Sequence, residues 1–196
     1  MMKRRKTAEE VDQKYHDRRV VLVSEVGEEL GEAGLVPAHR GRGLKHLAFS
    51  LVLYRKVEGG VQLLLQQRSK DKPVFPELWG NTCCYNMAPG EEFIPRAVSR
   101  VYEEMGVEIP ASKLQELYRF SYYATDQDGW CENELDTVIV GEWDGQVKLN
   151  PEEAMDYKWI NWGEMKQGME REPGNYVPWW TMIVSDGRLE RYLFGE

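Results

Sequence analysis

Runs of apolar residues separated by polar turns predict several short strands in the first part of the chain. Four consecutive apolar residues at 20–23 are typical of a short strand. A largely apolar run at 47–55 predicts a second strand that is buried on both of its faces. The turn sequence at 58–60 ends it, so we expect residues 61–67 to pair back onto it as a hairpin.

Three helices are expected, and the clearest covers residues 91–105, where apolar residues recur at every fourth position. Gly106 directly after it is a typical C-terminal stop, because glycine adopts the left-handed conformation without steric strain. Asn161, with an acid three residues later, resembles a capping box that opens a helix over 162–169. A last helix is expected to start near Pro178.

Strands are also expected in the second half of the chain, at 117–125, 130–140 and 157–160. The polar turn at 126–129 connects the first two of these strands. Because strands from all parts of the chain are mixed with a few helices, the pattern indicates an α+β fold rather than a regular alternation.

Composition is typical of a globular protein with one folded domain. The chain has 196 residues, of which 42% are hydrophobic and 30% are charged, and this length is enough for a core without disulfides. We expect a charged N-terminal extension over 1–19, followed by a single domain over 20–196. The formal net charge of −8 argues against a nucleic-acid-binding protein.

The cysteines and the length of the apolar runs bear on the compartment. Three cysteines are an odd number and not a disulfide framework, so we expect reduced thiols in a cytoplasmic protein. No apolar run approaches the roughly 18 residues of a membrane span. Polar residues follow the basic segment 3–6, where a secretory signal would be apolar. We therefore expect no membrane association.

Two acids and two histidines form a candidate site for a divalent metal. Glu132 and Glu134 are two residues apart in a predicted strand, so their side chains point to the same face. Such a pair is either a solvated strand face or a pair whose repulsion a cation or a shared proton relieves. His39 and His46, which taken alone are more typical of surface or core histidines, would add imidazole nitrogens to the carboxylate oxygens.

Adjacent cysteines form a second candidate for chemistry. Cys83 and Cys84 are expected in one strand, so only one of them faces a given pocket. Each is either a small buried hydrophobic residue or a thiol available for chemistry. Their spacing alone leaves open which of the two faces the pocket.

The segment 91–107 is similar to the Nudix box, the motif of hydrolases that cleave nucleoside diphosphates linked to another group. The box residues that are present are Glu91, Glu103, Glu104 and Gly106. Tyr85 stands at the opening glycine of the box, and Arg100 stands where the hydrolases have a metal-binding glutamate. The resemblance therefore implies the fold and argues against hydrolase chemistry. Arg100 and Glu104 share a helix face, either as a surface ion pair or as contacts to a diphosphate and its metal.

Several separated motifs together resemble the type 1 isopentenyl diphosphate isomerases, metal-dependent enzymes built on the Nudix fold. The similarity extends from about residue 20 to about residue 183. The matching segments are 39–50, 79–84, 122–126, 132–134 and 178–179. The resemblance implies an α+β, Nudix-type fold in which mixed or antiparallel sheets are packed between helices.

The resemblance also implies roles for individual side chains. Cys84 and Glu134 correspond to the family's catalytic pair, and Tyr122 and Trp179 correspond to catalytic aromatic residues of its hydrocarbon pocket. The ligands of the catalytic metal correspond to His39, His46, Glu132 and Glu134, and the carboxylate of a second metal site to Glu104. The cationic contacts to the diphosphate correspond to Arg68, Lys72 and Arg100.

Two positions depart from the family pattern. Asn86 stands where the family has a third metal-binding histidine, and an amide oxygen is a weaker ligand for a borderline metal. Leu35 stands near the family's active-site lysine. The implied cofactors are Mg²⁺ that arrives with the diphosphate and a second divalent ion, Mg²⁺, Mn²⁺ or Zn²⁺, at the histidine and glutamate site.

Three functions remain open from the sequence. The first is an isomerase that interconverts isopentenyl diphosphate and dimethylallyl diphosphate by protonation and deprotonation through a tertiary carbocation. The second is a Nudix-type diphosphate hydrolase, and the third is a repurposed prenyl-diphosphate enzyme or binder of terpenoid metabolism. The expected partner is a small-molecule prenyl diphosphate, and we expect a monomer or a homodimer.

Overall fold

Within residues 8–195, which this computed structural model describes, nine strands form one mixed sheet and six α-helices accompany it. The strands are β1 (Arg19–Val23), β2 (Glu29–Gly34), β3 (His46–Val57), β4 (Gly60–Arg68), β5 (Trp79–Gly80), β6 (Cys83–Asn86), β7 (Leu114–Thr125), β8 (Cys131–Glu142) and β9 (Ala154–Asn161). The helices are α1 (Ala8–Tyr15), α2 (Leu35–Ala38), α3 (Phe93–Met105), α4 (Trp162–Arg171), α5 (Pro178–Ser185) and α6 (Arg188–Phe194). None of these helices is long and apolar enough to cross a membrane.

Strand β3 lies at the centre of the sheet because different parts of it use different partners. One edge pairs antiparallel with β1, β6 and β4 in succession. The other edge pairs with β8, which runs parallel to β3 from His46 opposite Glu134 to Tyr54 opposite Glu142. Strand β7 then pairs with β8, β2 with β1, and β9 and β5 with β4, all antiparallel. The predicted α+β class with a mixed sheet is confirmed.

Helices cover both faces of the sheet, and the sheet separates the two larger of its three apolar clusters. In the first core, Val52 and Tyr54 of β3 pack with residues of α4, α5 and α6. In the second core, Phe49, Leu51 and Leu53 of β3 pack with residues of α3. Since all five side chains are buried, the predicted burial of this strand on both faces is confirmed.

Helix α3 begins at Phe93, slightly later than the apolar pattern predicts, and ends where predicted. Val101 and Met105 are fully buried in the second core. Gly106 follows with a φ of 60°, and its N–H donates to the carbonyl of Tyr102 at 2.9 Å. The left-handed glycine stop is therefore confirmed.

Three elements near the N-terminus follow no apolar pattern that the sequence predicted. Helix α1 lies inside the predicted extension, yet its Val11 is 1% exposed and belongs to the first core. Strand β2 is largely exposed and is held by its pairing with β1, and α2 is a single short turn. The basic residues at 3–6 lie outside the described residues, and the domain boundary at residue 20 stays a prediction.

Helix α4 follows β9 directly and lacks the predicted capping box. Asn161 precedes the helix, but its side chain makes no capping hydrogen bond. Glu164 lies in the first turn, where a negative charge is favoured by the positive end of the helix dipole. The predicted helix over 162–169 is thus confirmed, whereas the predicted cap is wrong.

Candidate active site

A partly open cavity lies beside the residues at the start of β3 and β8. Most of the predicted site residues line it, namely His39, Arg68, Lys72, Cys84, Asn86, Arg100, Tyr122, Glu132, Glu134 and Trp179. His46 and Glu104 lie next to this lining, where they contact Glu134 and Lys72. The fold therefore brings segments from all parts of the chain to one place.

Four potential metal ligands converge at this cavity. His39 follows α2 and His46 begins β3, whereas Glu132 and Glu134 alternate along β8 and so face the same way. The parallel pairing of β3 with β8 puts His46 opposite Glu134. Ligand atoms of all four residues lie within 4.8 Å of one another, and all four side chains are buried.

Hydrogen bonds to the backbone fix which imidazole nitrogen faces this cluster. Nδ1 of His39 and Nδ1 of His46 each lie 2.7 Å from a backbone carbonyl oxygen. Because a carbonyl oxygen only accepts, both Nδ1 atoms carry a proton, so the Nε2 atoms face the cluster and each offers a lone pair whenever its ring is neutral. Nε2 of His39 lies 2.9 Å from Glu132, and Nε2 of His46 lies 3.5 Å from Glu134.

When both rings are neutral, acceptor atoms face one another in the cluster, and a cation bound between them would relieve their repulsion. Oε2 of Glu132 is buried and receives no hydrogen bond from the described residues. Burial and the charge of Glu132 raise the pKa of Glu134. Burial would also raise the pKa of Glu132, but its pairing with the protonated form of His39 lowers that pKa overall. Two imidazole nitrogens with two carboxylate oxygens suit Zn²⁺ or Mn²⁺, so the residues present fit a divalent metal.

Asn86 lies at the same cluster. Its Nδ2 is 2.7 Å from Nε2 of His39 and 3.3 Å from Nε2 of His46. The amide thus donates to the lone pairs that a metal would use, and a rotation of the amide by about 180° would present Oδ1 to the cluster instead. The role of Asn86 as a ligand stays a prediction.

The two adjacent cysteines of β6 face opposite sides of the sheet, as their spacing predicts. Cys83 is buried in the second core, whereas Cys84 lines the cavity. Burial, with the nearby charge of Asp136, raises the pKa of Cys84 to about 12, so this side chain is a neutral thiol at physiological pH. Its Sγ lies 3.3 Å from Oδ1 of Asn81 and 3.5 Å from Oγ of Ser50.

Aromatic side chains form a wall of the cavity. Tyr122 stands opposite Glu134 in the β7–β8 pairing and donates its hydroxyl to Oε2 of that residue at 2.6 Å. The ring centroids of Tyr122 and Trp179 lie 6.1 Å apart. The ring of Phe75 packs edge-to-face against that of Trp179, with their centroids 5.7 Å apart. Trp179 is 3% exposed, and its indole N–H donates to Oδ1 of Asn81 at 3.1 Å. The indole is therefore held rigidly at the cavity.

Asn81 is a site residue that the sequence analysis did not identify. Its Oδ1 accepts from both Cys84 and Trp179. Its Nδ2 donates to the carbonyl oxygens of Leu51 and Cys83, at 3.1 Å and 2.9 Å, and these bonds fix the orientation of the amide. The available signal was its position in the same motif as Cys84.

Two further residues that the sequence analysis did not identify, Ser50 and Asp136, lie behind Cys84. Ser50 donates to Oδ2 of Asp136 at 2.7 Å, and both side chains are buried. Burial and the charge of Glu134 raise the pKa of Asp136. Neither residue stood out in the sequence, because each lies inside a largely apolar strand.

Two cations and two carboxylates form a network at the cavity. Glu104, 1% exposed, pairs with Arg100, 8% exposed, and with Lys72 at 3.4 Å. The interpretation as a surface ion pair is therefore wrong. Glu153, from the loop before β9, pairs with Lys72 and accepts from Arg100 at 2.8 Å. Burial would raise the pKa of Glu153, but the two cations lower it to about 2.

Glu104 fits a metal less well than the histidine and glutamate cluster does. Its Oε1 is engaged by Arg100 and Lys72, and its Oε2 accepts from Gln66 at 2.8 Å. Each oxygen already has a donor, so a metal ligated there would compete with these contacts. The role of Glu104 as a metal ligand stays a prediction, and we derive no chemical step from it.

Arg68 lines the cavity and also holds the loop that follows β4. Its Nε donates to the carbonyl of Phe75 at 2.9 Å, and its Nη2 donates to that of Val74 at 2.8 Å. The guanidinium lies 5.2 Å from the ring of Trp179. Arg68 thus adds positive charge beside the aromatic wall.

Comparison with known proteins identifies the family. The NUDIX domain family model matches residues 44–180. The isopentenyl-diphosphate Delta-isomerase of Nocardia farcinica is 38% identical over 84% of this chain and 91% of its own length. The chain belongs to the isopentenyl-diphosphate Delta-isomerase family of NUDIX proteins. The isopentenyl-diphosphate Delta-isomerase 2 of Aromatoleum aromaticum is 36% identical over 82% of this chain and 82% of its own length.

Solved structures agree on the fold. A Deinococcus radiodurans protein gives a TM-score of 0.62 at 22% identity, covering 82% of this chain and 91% of its own. The NUDIX domain of Shewanella oneidensis NrtR, solved with ADP ribose, gives a TM-score of 0.56 at 17% identity and covers 74% of this chain and 86% of its own. These identities support the NUDIX fold alone. Membership in the isopentenyl-diphosphate Delta-isomerase family accounts for the convergence of the predicted motifs on one cavity.

Proposed function

We propose that this protein interconverts isopentenyl diphosphate and dimethylallyl diphosphate. The observation that carries the proposal is that Cys84, Glu134 and Trp179 line one cavity. A thiol and a carboxylate are two groups that can exchange protons, and an indole between or beside them can stabilise a cation. The names of the relatives support the same reaction.

The reaction moves a double bond from C3–C4 to C2–C3, so one proton is added at C4 and another is removed from C2. We assign these two transfers to Cys84, which holds its proton at neutral pH, and to Glu134, which Tyr122 orients by a hydrogen bond of 2.6 Å. A tertiary cation at C3 forms between the two transfers. The face of Trp179 stabilises such a cation by roughly 0.5–2 kcal/mol.

The histidine and glutamate cluster would hold a divalent metal, which we propose to be Zn²⁺, Mn²⁺ or Mg²⁺. Its ligands would be His39, His46, Glu132 and Glu134, whose donor atoms converge. When bound, the ion supplies positive charge that offsets the two carboxylates and withdraws electron density from them. The protein's own contribution is to bury these side chains and fix both Nε2 atoms toward the cluster.

Arg68, Lys72 and Arg100 would bind the diphosphate, with Mg²⁺ arriving on that group. All three cations line the cavity, and guanidinium groups suit phosphate oxygens because they donate in pairs. A hydrolase is disfavoured because Arg100 brings a positive charge into the helix position where metal-binding carboxylates serve hydrolysis. A repurposed prenyl-diphosphate protein has no separate observation in its favour.

The compartment and the assembly belong to the proposal as well. The free cysteines Cys83, Cys84 and Cys131 agree with the reducing cytoplasm expected from the sequence. The expected monomer or homodimer stays a prediction.

An assay that follows both possible products tests the function. The purified protein is incubated with isopentenyl diphosphate and Mg²⁺, and dimethylallyl diphosphate and free phosphate are measured by NMR. We expect dimethylallyl diphosphate to form without phosphate release. Phosphate release without migration of the double bond would show that the protein is a hydrolase instead.

The two neighbouring cysteines provide a matched pair of variants. Cys84→Ala should lower turnover by at least about 10²-fold, the lower end for general acid–base catalysis. Cys83→Ala should keep most of the turnover, because its side chain lies in the second core. The opposite ranking of these two variants would remove the assignment of Cys84.

A further inference from the structure

The cations already assigned to the diphosphate are engaged with protein groups. Lys72 and Arg100 both pair with Glu104 and Glu153. Arg68 uses two donor nitrogens on backbone carbonyls. A highly charged anion entering this cavity would therefore have to compete with two carboxylates for two of the three cations.

A fourth cation, Arg18, lines the same cavity and is differently placed. Its guanidinium lies 4.7 Å from the ring of Tyr85 and 5.9 Å from that of Tyr15. Among the side chains that the structure describes, it has no carboxylate partner. The neighbouring Arg19 does have a carboxylate partner, because Nε of Arg19 lies 3.0 Å from a carboxylate oxygen of Glu32 on β2.

The backbone holds Arg18 in this position. Its N–H donates to the carbonyl of Tyr15, and its own carbonyl accepts from the N–H of Leu35, both at 2.9 Å. Helix α1, which precedes it, is anchored in the first core by Val11. Arg18 is therefore a fixed part of the cavity wall and not the end of a loose segment.

Tyr85 relates Arg18 to the rest of the charged network. The same ring lies 5.7 Å from the guanidinium carbon of Arg100 and 4.1 Å from that of Arg96. Arg18 and Arg100 thus flank one aromatic residue that itself lines the cavity. A guanidinium group that lies on an aromatic face keeps its N–H groups, which lie in its own plane, available to an anion.

We propose that Arg18 is a substrate-binding residue that receives the diphosphate together with Arg100, with Tyr85 as the platform that orients both guanidinium groups. This proposal rests on the proposed function and adds a residue to it. Arg18 supplies donors that no described carboxylate occupies, and so it provides the first favourable contact for an incoming anion. Tyr85 would then serve as a positioning residue that acts through Arg18.

Binding of inorganic pyrophosphate in the presence of Mg²⁺ tests the role of Arg18 without requiring turnover. Isothermal titration calorimetry compares the wild type with Arg18→Ala, Arg18→Lys and the control Arg19→Ala. We expect Arg18→Ala to weaken binding by roughly tenfold or more, the range for a lost charge-assisted hydrogen bond. Arg19→Ala should bind as the wild type does, and Arg18→Lys should regain part of the affinity.

Kinetics and thermal melts complete the test. For Arg18→Ala we expect a higher KM with a much smaller change in kcat and a melting temperature close to that of the wild type. Equal pyrophosphate affinities for Arg18→Ala and Arg19→Ala would overturn the proposal while leaving the isomerase assignment intact. A tenfold loss specific to Arg18 in a protein that makes no dimethylallyl diphosphate would keep the anion site and remove the proposed function.

Discussion

A single amide sets the relative positions of the thiol and the indole in the cavity. Oδ1 of Asn81 accepts from Cys84 and Trp179, which come from β6 and α5. Because Asn81 is 2% exposed and its Nδ2 is bound to two carbonyls, the amide has one orientation. The distance between an acid–base group and a cation-stabilising ring is thus fixed before any substrate enters.

Replacement of Asn81 should therefore separate catalysis from binding. We expect Asn81→Ala to lower kcat much more than it changes KM, because Cys84 and Trp179 lose their shared acceptor. The free energy of unfolding should fall by roughly 1–3 kcal/mol, because buried polar groups lose their partners. Steady-state kinetics and urea denaturation measure the two effects. An unchanged kcat would show that the amide has a structural role alone.

The sequence predicts individual residues where chemistry and spacing coincide. Cys84, His46 and the acids of β8 carry unusual chemistry in strands, where the alternation predicts that only one of Cys83 and Cys84 faces the pocket, and the family resemblance indicates that it is Cys84. The role of Asn81 depends on contacts with Leu51 and Trp179, which only the folded chain brings together. Contacts between residues so far apart in the sequence cannot be predicted from the local pattern of apolar and polar positions.

At the scale of elements, helix α3 shows what a local signal predicts well. Its apolar residues recur with the helical period, and Gly106 terminates it in the left-handed conformation. Strand β2, by contrast, has no apolar alternation and exists because β1 offers it hydrogen-bonding partners. Partner-dependent elements of this type cannot be predicted from their own residues.

The end of α3 provides a prediction at the same scale. A Cβ at Gly106 would lie 2.7 Å from the backbone oxygen of Lys148, whereas a Cβ at Gly59 would meet nothing within 4 Å. Both glycines have positive φ, so Gly59→Ala should cost about 1–2 kcal/mol from backbone strain. Gly106→Ala should cost a further 1–3 kcal/mol or so from the clash. Urea denaturation of the two variants checks this, and equal losses would contradict it.

For the whole molecule, a buried cluster of two carboxylates couples metal binding to stability. Glu132 and Glu134 are both 6% exposed, and a buried pair of acids destabilises the folded chain unless a cation or proton compensates. After chelation, adding Zn²⁺ or Mn²⁺ at about 100 times its dissociation constant should stabilise the protein by about 2.7 kcal/mol. For a chain of this size that corresponds to roughly 5–10 °C in melting temperature.

Variants at the cluster assign such a shift to this site. His39→Ala should remove most of the metal-dependent rise in melting temperature, because it removes a converging ligand. Asn86→His should enlarge the rise with Zn²⁺, because imidazole is a better ligand than an amide for this ion. A metal-dependent rise that is equal in both variants and the wild type would place the bound ion elsewhere.

The parallel pairing of β3 with β8 also has a consequence for how the protein is made. His39 and His46 leave the ribosome long before Glu132 and Glu134, and β8 cannot join β3 until the intervening hairpin, α3 and β7 have been synthesised. Pairings between such distant segments form slowly, and domains fold as units once their parts are available. The complete set of metal ligands therefore exists only after Glu134 has been synthesised, so the metal cannot guide the earliest folding of the segments before it.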